Sequence, residues 1–92
     1  MTVTVLSSVP GAAVAEFIQA TFTMIASPGA ISVPGLVSGD IIISATNVNN
    51  NTTLMSANTF ESIVSSNDQI VQNVGDAPSG GIPVSALFYR PL

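Results

Sequence analysis

The sequence of 92 residues has almost no ionic chemistry. It contains no cysteine, histidine, lysine or tryptophan, and charged residues make up only 7%, against about 25% in an ordinary soluble domain. Without cysteine and histidine, neither a disulfide nor an ordinary zinc site can form. Because Arg90 is the only cationic side chain, the chain also lacks the basic patch that proteins use to bind phosphate. We therefore expect no binding to nucleic acid.

The same shortage argues against catalysis. A nucleophilic serine or threonine needs a neighbouring base, and the side-chain bases available are five scattered carboxylates: Glu16, Asp40, Glu61, Asp68 and Asp76. Two of them, Asp40 and Glu61, could form the carboxylate pair of a glycoside hydrolase, although few aromatic side chains are present to line a sugar groove. We expect a protein that is not an enzyme and needs no cofactor, with a small carbohydrate-active enzyme as a remote alternative.

What the chain does contain is apolar and uncharged polar residues. A hydrophobic fraction of 47% is too high for a disordered chain, and 92 residues hold one core, so residues 1–92 should form a single domain. Serine, threonine and asparagine must then supply most of the polar surface. A core this small, without covalent or metal reinforcement, favours association with copies of the chain or with a partner.

One uncharged stretch, between Glu16 and Asp40, is long enough to suggest a membrane span. It is interrupted by the pairs Pro28-Gly29 and Pro34-Gly35, which a spanning helix could not accommodate without neighbours that satisfy its backbone. We predict two strands and a turn there, and no membrane span. Residues 1–10 lack the basic start and long apolar run of a secretory leader, so we expect no targeting segment.

Turn-forming pairs of proline, glycine and aspartate separate short runs that have the alternation of β-strands. The clearest alternation covers residues 17–25, in which Ile18, Ala20, Phe22 and Met24 share one face. The other predicted strands are residues 2–6, 30–33, 40–46, 53–57, 59–64, 67–74 and 83–89. This pattern predicts an all-β fold, a single small antiparallel β-sandwich (jelly-roll-like) of seven or eight short strands. A helix over residues 12–20 is the weaker alternative.

Three consecutive isoleucines within residues 40–46 suggest a strand that is covered on both faces. The predicted core is Ile18, Phe22, Met24, Ile41, Ile43, Phe60, Ile63, Ile70, Val84, Ala86 and Phe88. Residues 47–53 (NVNNNTT) predict an exposed loop between two strands. Its alternating asparagines are not accompanied by the carboxylates that a calcium loop needs, so we expect no metal site.

Arg90 lies between Tyr89 and Pro91, near the end of the last predicted strand. One interpretation is an ion pair with an acid of the same chain. The other is a contact between subunits, because arginine and tyrosine are enriched in interfaces. In that case Leu87 and Tyr89, which alternate with the predicted core residues of the strand, form the interface together with Arg90.

The order of features in the chain adds a resemblance. Residues 31–44 (ISVPGLVSGDIIIS) are followed by a polar loop, by residues 66–71 (SNDQIV), by a glycine-rich turn and by a last strand that ends on Tyr89-Arg90-Pro91. This succession of a Val-Pro-Gly turn, a Gly-Asp before an apolar strand, an Asp-centred turn and a terminal arginine resembles small β-sandwich modules of tailed-phage and prophage structural proteins. The resemblance covers residues 20–91 and specifies no active residue.

The resemblance implies a function as well as a fold. Because the module makes up nearly the whole chain, it implies a capsid decoration, or cement, protein that is made in the host cytoplasm and works on the capsid surface of the virion. Its partner would be the major capsid protein, and a homotrimer is expected because such modules commonly occupy threefold positions. The alternative is a tail or fibre component that takes part in host attachment and contacts other tail or fibre proteins.

Overall fold

The computed structural model describes residues 2–8, 15–49, 53–56 and 58–91, whose regular structure is almost entirely β-strand. The described strands are β1 (Thr2–Ser8), β2 (Ala15–Thr23), β3 (Gly29–Ser32), β4 (Ile41–Asn47), β5 (Thr53–Leu54), β6 (Gln69–Gln72) and β7 (Pro83–Pro91). One 3₁₀ turn, Ala77–Ser79, lies between β6 and β7. The all-β prediction is confirmed. Within the described part of the chain no helix has the length and apolar character to cross a membrane.

The strands form two antiparallel sheets. The larger sheet has the order β1-β2-β7-β4-β5, and the smaller sheet pairs β3 with β6. Strands β2 and β7 pair along their whole length, from Ala15 opposite Pro91 to Thr23 opposite Pro83, and this pair forms the middle of the larger sheet. Both sheets contribute side chains to one buried apolar cluster. The helical alternative is wrong for residues 15–20, which belong to β2, and residues 12–14 lie outside the described part.

The alternation predicted for β2 is confirmed, because Ile18, Ala20, Phe22 and the following Met24 are all buried. Across the sheet, β7 contributes its own alternate residues, Val84, Ala86 and Phe88, to the same cluster. Phe60 is also buried, as predicted, and its ring meets that of Phe22 edge to face with centroids 5.3 Å apart. From the smaller sheet, Ile70 of β6 packs into the same cluster.

The isoleucines of β4 are not covered on both faces, so this prediction is wrong. The pairing of β4 with β7 shifts register between Ile42 and Ser44, which is the signature of a β-bulge, where two residues oppose one. The extra residue, Ile43, is 52% exposed, while Ile42 packs against the core and Ala45 is buried. Ile41, which was also predicted to be in the core, is half-buried and faces the other side of the sheet with its partner Tyr89.

Residues 53–64 form less strand than the sequence predicts. Among the described residues of this range, only Thr53–Leu54 forms a strand, and it pairs with Thr46 and Asn47 of β4. Farther along, Phe60 and Ile63 make isolated bridges to Gln72 and Ile41. Ile63 is 54% exposed, so its predicted place in the core is wrong. A segment that bridges two different strands at two points does not bury a regular face, and this explains the failure of the alternation.

The predicted loop at 47–53 is shorter than expected. Asn47 ends β4 and Thr53 begins β5, whereas Val48 and Asn49 are exposed as predicted. Residues 50–52 lie outside the described part of the chain.

A buried glutamine links the two sheets. Gln72 of β6 is completely buried. Its Oε1 accepts a hydrogen bond from Ile25 N (3.1 Å), and its Nε2 donates to Ile25 O (2.8 Å) and Val74 O (2.9 Å). All three bonds are to backbone groups just beyond β2 and β6, so this side chain satisfies backbone groups that lie outside the strand pairs.

Candidate functional site

Arg90 and Asp40 form an ion pair that joins the end of β7 to the start of β4. Arg90 Nε lies 2.7 Å from Asp40 Oδ1, and Arg90 Nη2 lies 2.8 Å from Asp40 Oδ2, which is the two-pronged geometry that arginine makes with carboxylates. Asp40 is 1% exposed and the Arg90 side chain 21%. The hydrogen bonds and the charge of Asp40 raise the pKa of Arg90, against the opposing effect of its partial burial. The interpretation of Arg90 as half of an ion pair within the chain is therefore confirmed.

Two tight turns present backbone groups to this pair. In residues 33–36, Leu36 N donates to Val33 O, and Gly35 has φ +104°. In residues 37–40, Asp40 N donates to Val37 O, and Gly39 has φ +100°. A positive φ at the third residue belongs to a type II turn and favours glycine there. Arg90 Nη2 also donates to Gly35 O at 3.0 Å, and Val37 N donates to Asp40 Oδ2 at 2.9 Å.

A third turn, around Asp68, joins the same network. Asp68 has φ +62°, a conformation that aspartate tolerates better than most residues, and its Oδ1 accepts a hydrogen bond from Gly35 N at 2.9 Å. The backbones of the two turns are also bonded, from Val33 N to Asp68 O (2.9 Å) and from Asp68 N to Leu36 O (2.8 Å). We call Arg90, Asp40, Gly35 and Asp68 the arginine network. Its members come from the four features that define the sequence pattern.

Other carboxylates are also used inside the fold. Glu61 accepts hydrogen bonds from Val71 N (3.1 Å), Ser65 N (3.3 Å) and Ser65 Oγ (2.8 Å), and so holds the loop before β6. Together with the Arg90 pair of Asp40, these contacts engage both carboxylates of the possible glycosidase pair. Across residues 2–8, 15–49, 53–56 and 58–91, no group of three or more potential His, Cys, Asp or Glu ligands is placed to hold a metal ion.

The outer face of the larger sheet, on the side away from the core, carries a row of apolar side chains. The register places Phe17 beside Tyr89, Tyr89 beside Ile41, and Ile41 beside Ile63. Directly opposed residues project from the same face of a sheet, and we call these four residues the apolar row. Phe17 is 38% exposed, and its ring centroid lies 5.9 Å from that of Tyr89 at a tilt of 59°. The row therefore offers solvent a connected apolar surface.

The rest of this outer face is uncharged. The row next to the apolar row consists of Gln19, Leu87 and Ser44, and the one after it of Thr21, Ser85 and Thr46. Gln19 Nε2 donates to Ser85 Oγ across the two rows at 2.9 Å. None of the residues that β2, β4 and β7 place on this face is charged, because Glu16 and Arg90 alternate onto the opposite face.

The three residues predicted as an interface do not share one surface. Leu87 and Tyr89 lie half-buried on the outer face, opposite Val84, Ala86 and Phe88, as the alternation indicated. Arg90 projects from the core-facing side, where it binds Asp40. It therefore lies on the opposite side of the sheet from Leu87 and Tyr89.

The residues that complete the apolar row, Phe17, Ile41 and Ile63, were missed as surface candidates. For Phe17 there was a signal, since its position in the strand places it on the polar face, opposite the face predicted to be in the core. Ile63 joins the row through its bridge to Ile41, and no local sequence pattern indicates that bridge.

An apolar groove of about 330 Å³ opens beside β4 at the bulge. Its apolar lining includes Ile43, Leu54, Met55 and Phe60, and its polar lining consists of three serines. Ile43 and Leu54 at its rim are exposed. No charged side chain lines the groove, so it offers no group for acid–base chemistry.

Comparison with models of protein families, with curated proteins and with solved structures finds no match for this chain. The resemblance to phage structural modules thus depends on the sequence pattern alone. The arginine network and the outer face are the two features of the molecule from which a function can be inferred.

Proposed function

We propose that this chain is a non-enzymatic structural protein of a tailed-phage or prophage particle. In this proposal it is a capsid decoration protein that binds the major capsid protein on the assembled head and stabilises it. The observation that carries the proposal is the arginine network, in which Asp40 and Arg90 pair across a sequence separation of 50 residues. The features behind the resemblance thus hold one another in place. These residues stabilise the fold, as expected of a module whose role is structural.

The uncharged outer face suits burial in a contact between proteins of the assembled particle. Burying this face would not remove a charged group from water, which is the main cost of burying polar surface. The apolar row can form the dry centre of a contact, while the rows with Gln19, Thr21 and Ser85 can form its polar rim. Binding through such a face should depend little on ionic strength, because no exposed ion pair takes part.

The finer architecture belongs to the same proposal. We infer a small jelly-roll-like β-sandwich, with β3 and β6 as part of the second layer. Ile31 of β3 and Ile70 of β6 enter the buried cluster that also holds Ile18 and Phe88 of the larger sheet. The bridge between Phe60 and Gln72 extends the smaller sheet by one more segment. The resemblance adds association with other copies of the chain as the working state.

Counting copies per particle tests this function. Quantitative mass spectrometry of purified particles should find the chain in many copies per head. Heads that lack it should lose their DNA at a lower temperature, and supplying the protein to them should restore the original stability. A chain that is absent from particles, or heads that are unchanged without it, would contradict the proposal.

A tail or fibre component is the second candidate, and the same measurement separates it from a decoration protein. It should be present in few copies, and particles without it should keep intact heads but fail to adsorb to host cells. Two variants then test the docking face in either case. Phe17→Ser changes the apolar row, and Val74→Ser changes a residue with 49% exposure in the segment after β6. Only Phe17→Ser should lower the amount of protein bound per particle.

A further inference from the structure

We propose that the outer face of the larger sheet is a self-association surface that a second copy of this chain covers. The inference rests on the proposed function, because a protein present in many copies per particle would use this contact to bind other copies of itself. The surface consists of the apolar row, Phe17, Tyr89, Ile41 and Ile63, together with Leu87 in the neighbouring row. Arg90 is excluded from it, since its side chain is on the opposite face.

The size of the face meets what a specific contact needs. Strands β2, β7 and β4 lie side by side, and β5 together with the bridge from Ile63 to Ile41 adds a fourth position beside β4. Strands β2 and β7 each have nine residues. At about 4.8 Å per strand and 3.4 Å per residue, this face measures about 19 by 30 Å. Two copies that cover each other would bury about 1,100 Å², slightly more than the roughly 1,000 Å² expected of a specific interface. Self-association should therefore be reversible and of moderate affinity.

The distribution of charge favours a second copy over a different kind of partner. Each copy has a formal net charge of −4, so copies approach one another best through a face without carboxylates. The residues that β2, β4 and β7 place on the outer face satisfy that condition, since Glu16 and Arg90 project to the other side. A basic partner would instead need acidic groups on its docking face, and these strands present none. An uncharged face is complementary to itself, so this contact joins two copies, in place of the homotrimer that the resemblance implies.

The chemistry of the rows fits face-to-face stacking of two sheets. Sheets pack about 10 Å apart when their apolar side chains interdigitate. The aromatic pair of Phe17 and Tyr89 supplies the large, rigid side chains that dominate the energy of protein contacts. The rows of Gln19, Thr21 and Ser85 offer hydroxyl and amide groups that can bond across the edge of the contact. The surface thus has an apolar centre and a polar border.

Sedimentation equilibrium of the purified protein tests the inference. Between about 10 µM and 1 mM, the average mass of the wild-type protein should rise above that of one copy. Phe17→Ser should increase the dissociation constant at least tenfold. Val74→Ser, the matched loss of an exposed apolar side chain in the segment after β6, should leave it unchanged. Circular dichroism and thermal unfolding of each variant establish that it is folded.

Two outcomes would overturn the proposal. One is a wild-type protein that stays monomeric over the whole range, and the other is a Phe17→Ser variant that associates as well as Val74→Ser. If Phe17→Ser does not fold, Ile63→Ser replaces it, since Ile63 lies outside the regular strands and is more exposed. The same effect on the dissociation constant is expected. These results are independent of the copy number per particle, so the failure of one proposal can be distinguished from the failure of the other.

Discussion

Replacing Arg90 by methionine should remove a large part of the free energy of unfolding, even though the arginine side chain is partly exposed and lies near the end of β7. The substitution removes two of the three hydrogen bonds that the carboxylate of Asp40 accepts, and it leaves this buried carboxylate with only Val37 N as a donor. Removing one partner of a buried ion pair costs about 3–5 kcal/mol. Because Arg90 is itself 21% exposed and water can reach the vacated side, we expect the lower end, about 3 kcal/mol.

A double-mutant cycle isolates the interaction from the individual side chains. Asp40→Asn keeps the shape of the acid but removes its charge, and it is combined with Arg90→Met. Urea unfolding of the four proteins should give a coupling energy of about 2 kcal/mol, within the range known for residues in direct contact. A loss of about 3 kcal/mol would also lower Tm by at least about 12 °C in a domain of this length.

The control is Asp76→Asn, which makes the same chemical change at an exposed acid whose side chain bonds Ser79. It should change the free energy of unfolding by no more than about 0.5 kcal/mol. A cost below about 1 kcal/mol for Arg90→Met, or a coupling energy below about 0.5 kcal/mol, would refute the role given to the ion pair. Either result would mean that Asp40 is solvated or repaired by other groups when the arginine is absent.

Two further pairs of variants test the assignment of the core and of the buried glutamine, all by urea unfolding. Phe22→Ala should cost about 3–5 kcal/mol because its ring is buried, whereas Phe17→Ala should cost less than about 1 kcal/mol; equal losses would show that β2 faces the other way. Gly75→Ala should cost about 1–3 kcal/mol, because the added Cβ would overlap Nε2 of Gln72 and displace it from its backbone partners. Gly29→Ala, whose Cβ would make only ordinary contact, should be nearly neutral, and a neutral Gly75→Ala would contradict the role given to the glutamine.

The sequence predicts those parts of the fold in which burial is regular. In β2 and β7 each strand has one buried face along its length, so period-two alternation identifies the face correctly at Ile18, Phe22 and Phe88. It fails in β4, because a bulge depends on how the partner strand lines up. Three identical isoleucines contain no signal for which of them is the extra residue. The sequence therefore does not predict that Ile43 is the exposed one.

The candidate site was predicted only in part, for a related reason. The composition makes an internal ion pair of Arg90 expected, since five acids are available for a single cation. It does not select Asp40, which lies 50 residues earlier and becomes a neighbour only when β4 pairs with β7. Contacts between distant segments depend on the register of the whole sheet, and local patterns do not carry that information.

The arginine network and the outer face meet at two consecutive pairs of residues. Asp40 and Arg90 pair on the core-facing side of the sheet, and their neighbours in sequence, Ile41 and Tyr89, stand opposite each other on the outer face. The ion pair therefore fixes the backbone at the centre of the apolar row. Arg90→Met should weaken self-association at temperatures where the variant is still folded, although Arg90 is not on the contact face. Phe17→Ser should weaken it with little loss of stability, and an Arg90→Met protein with the wild-type dissociation constant would show that the framework and the contact are independent.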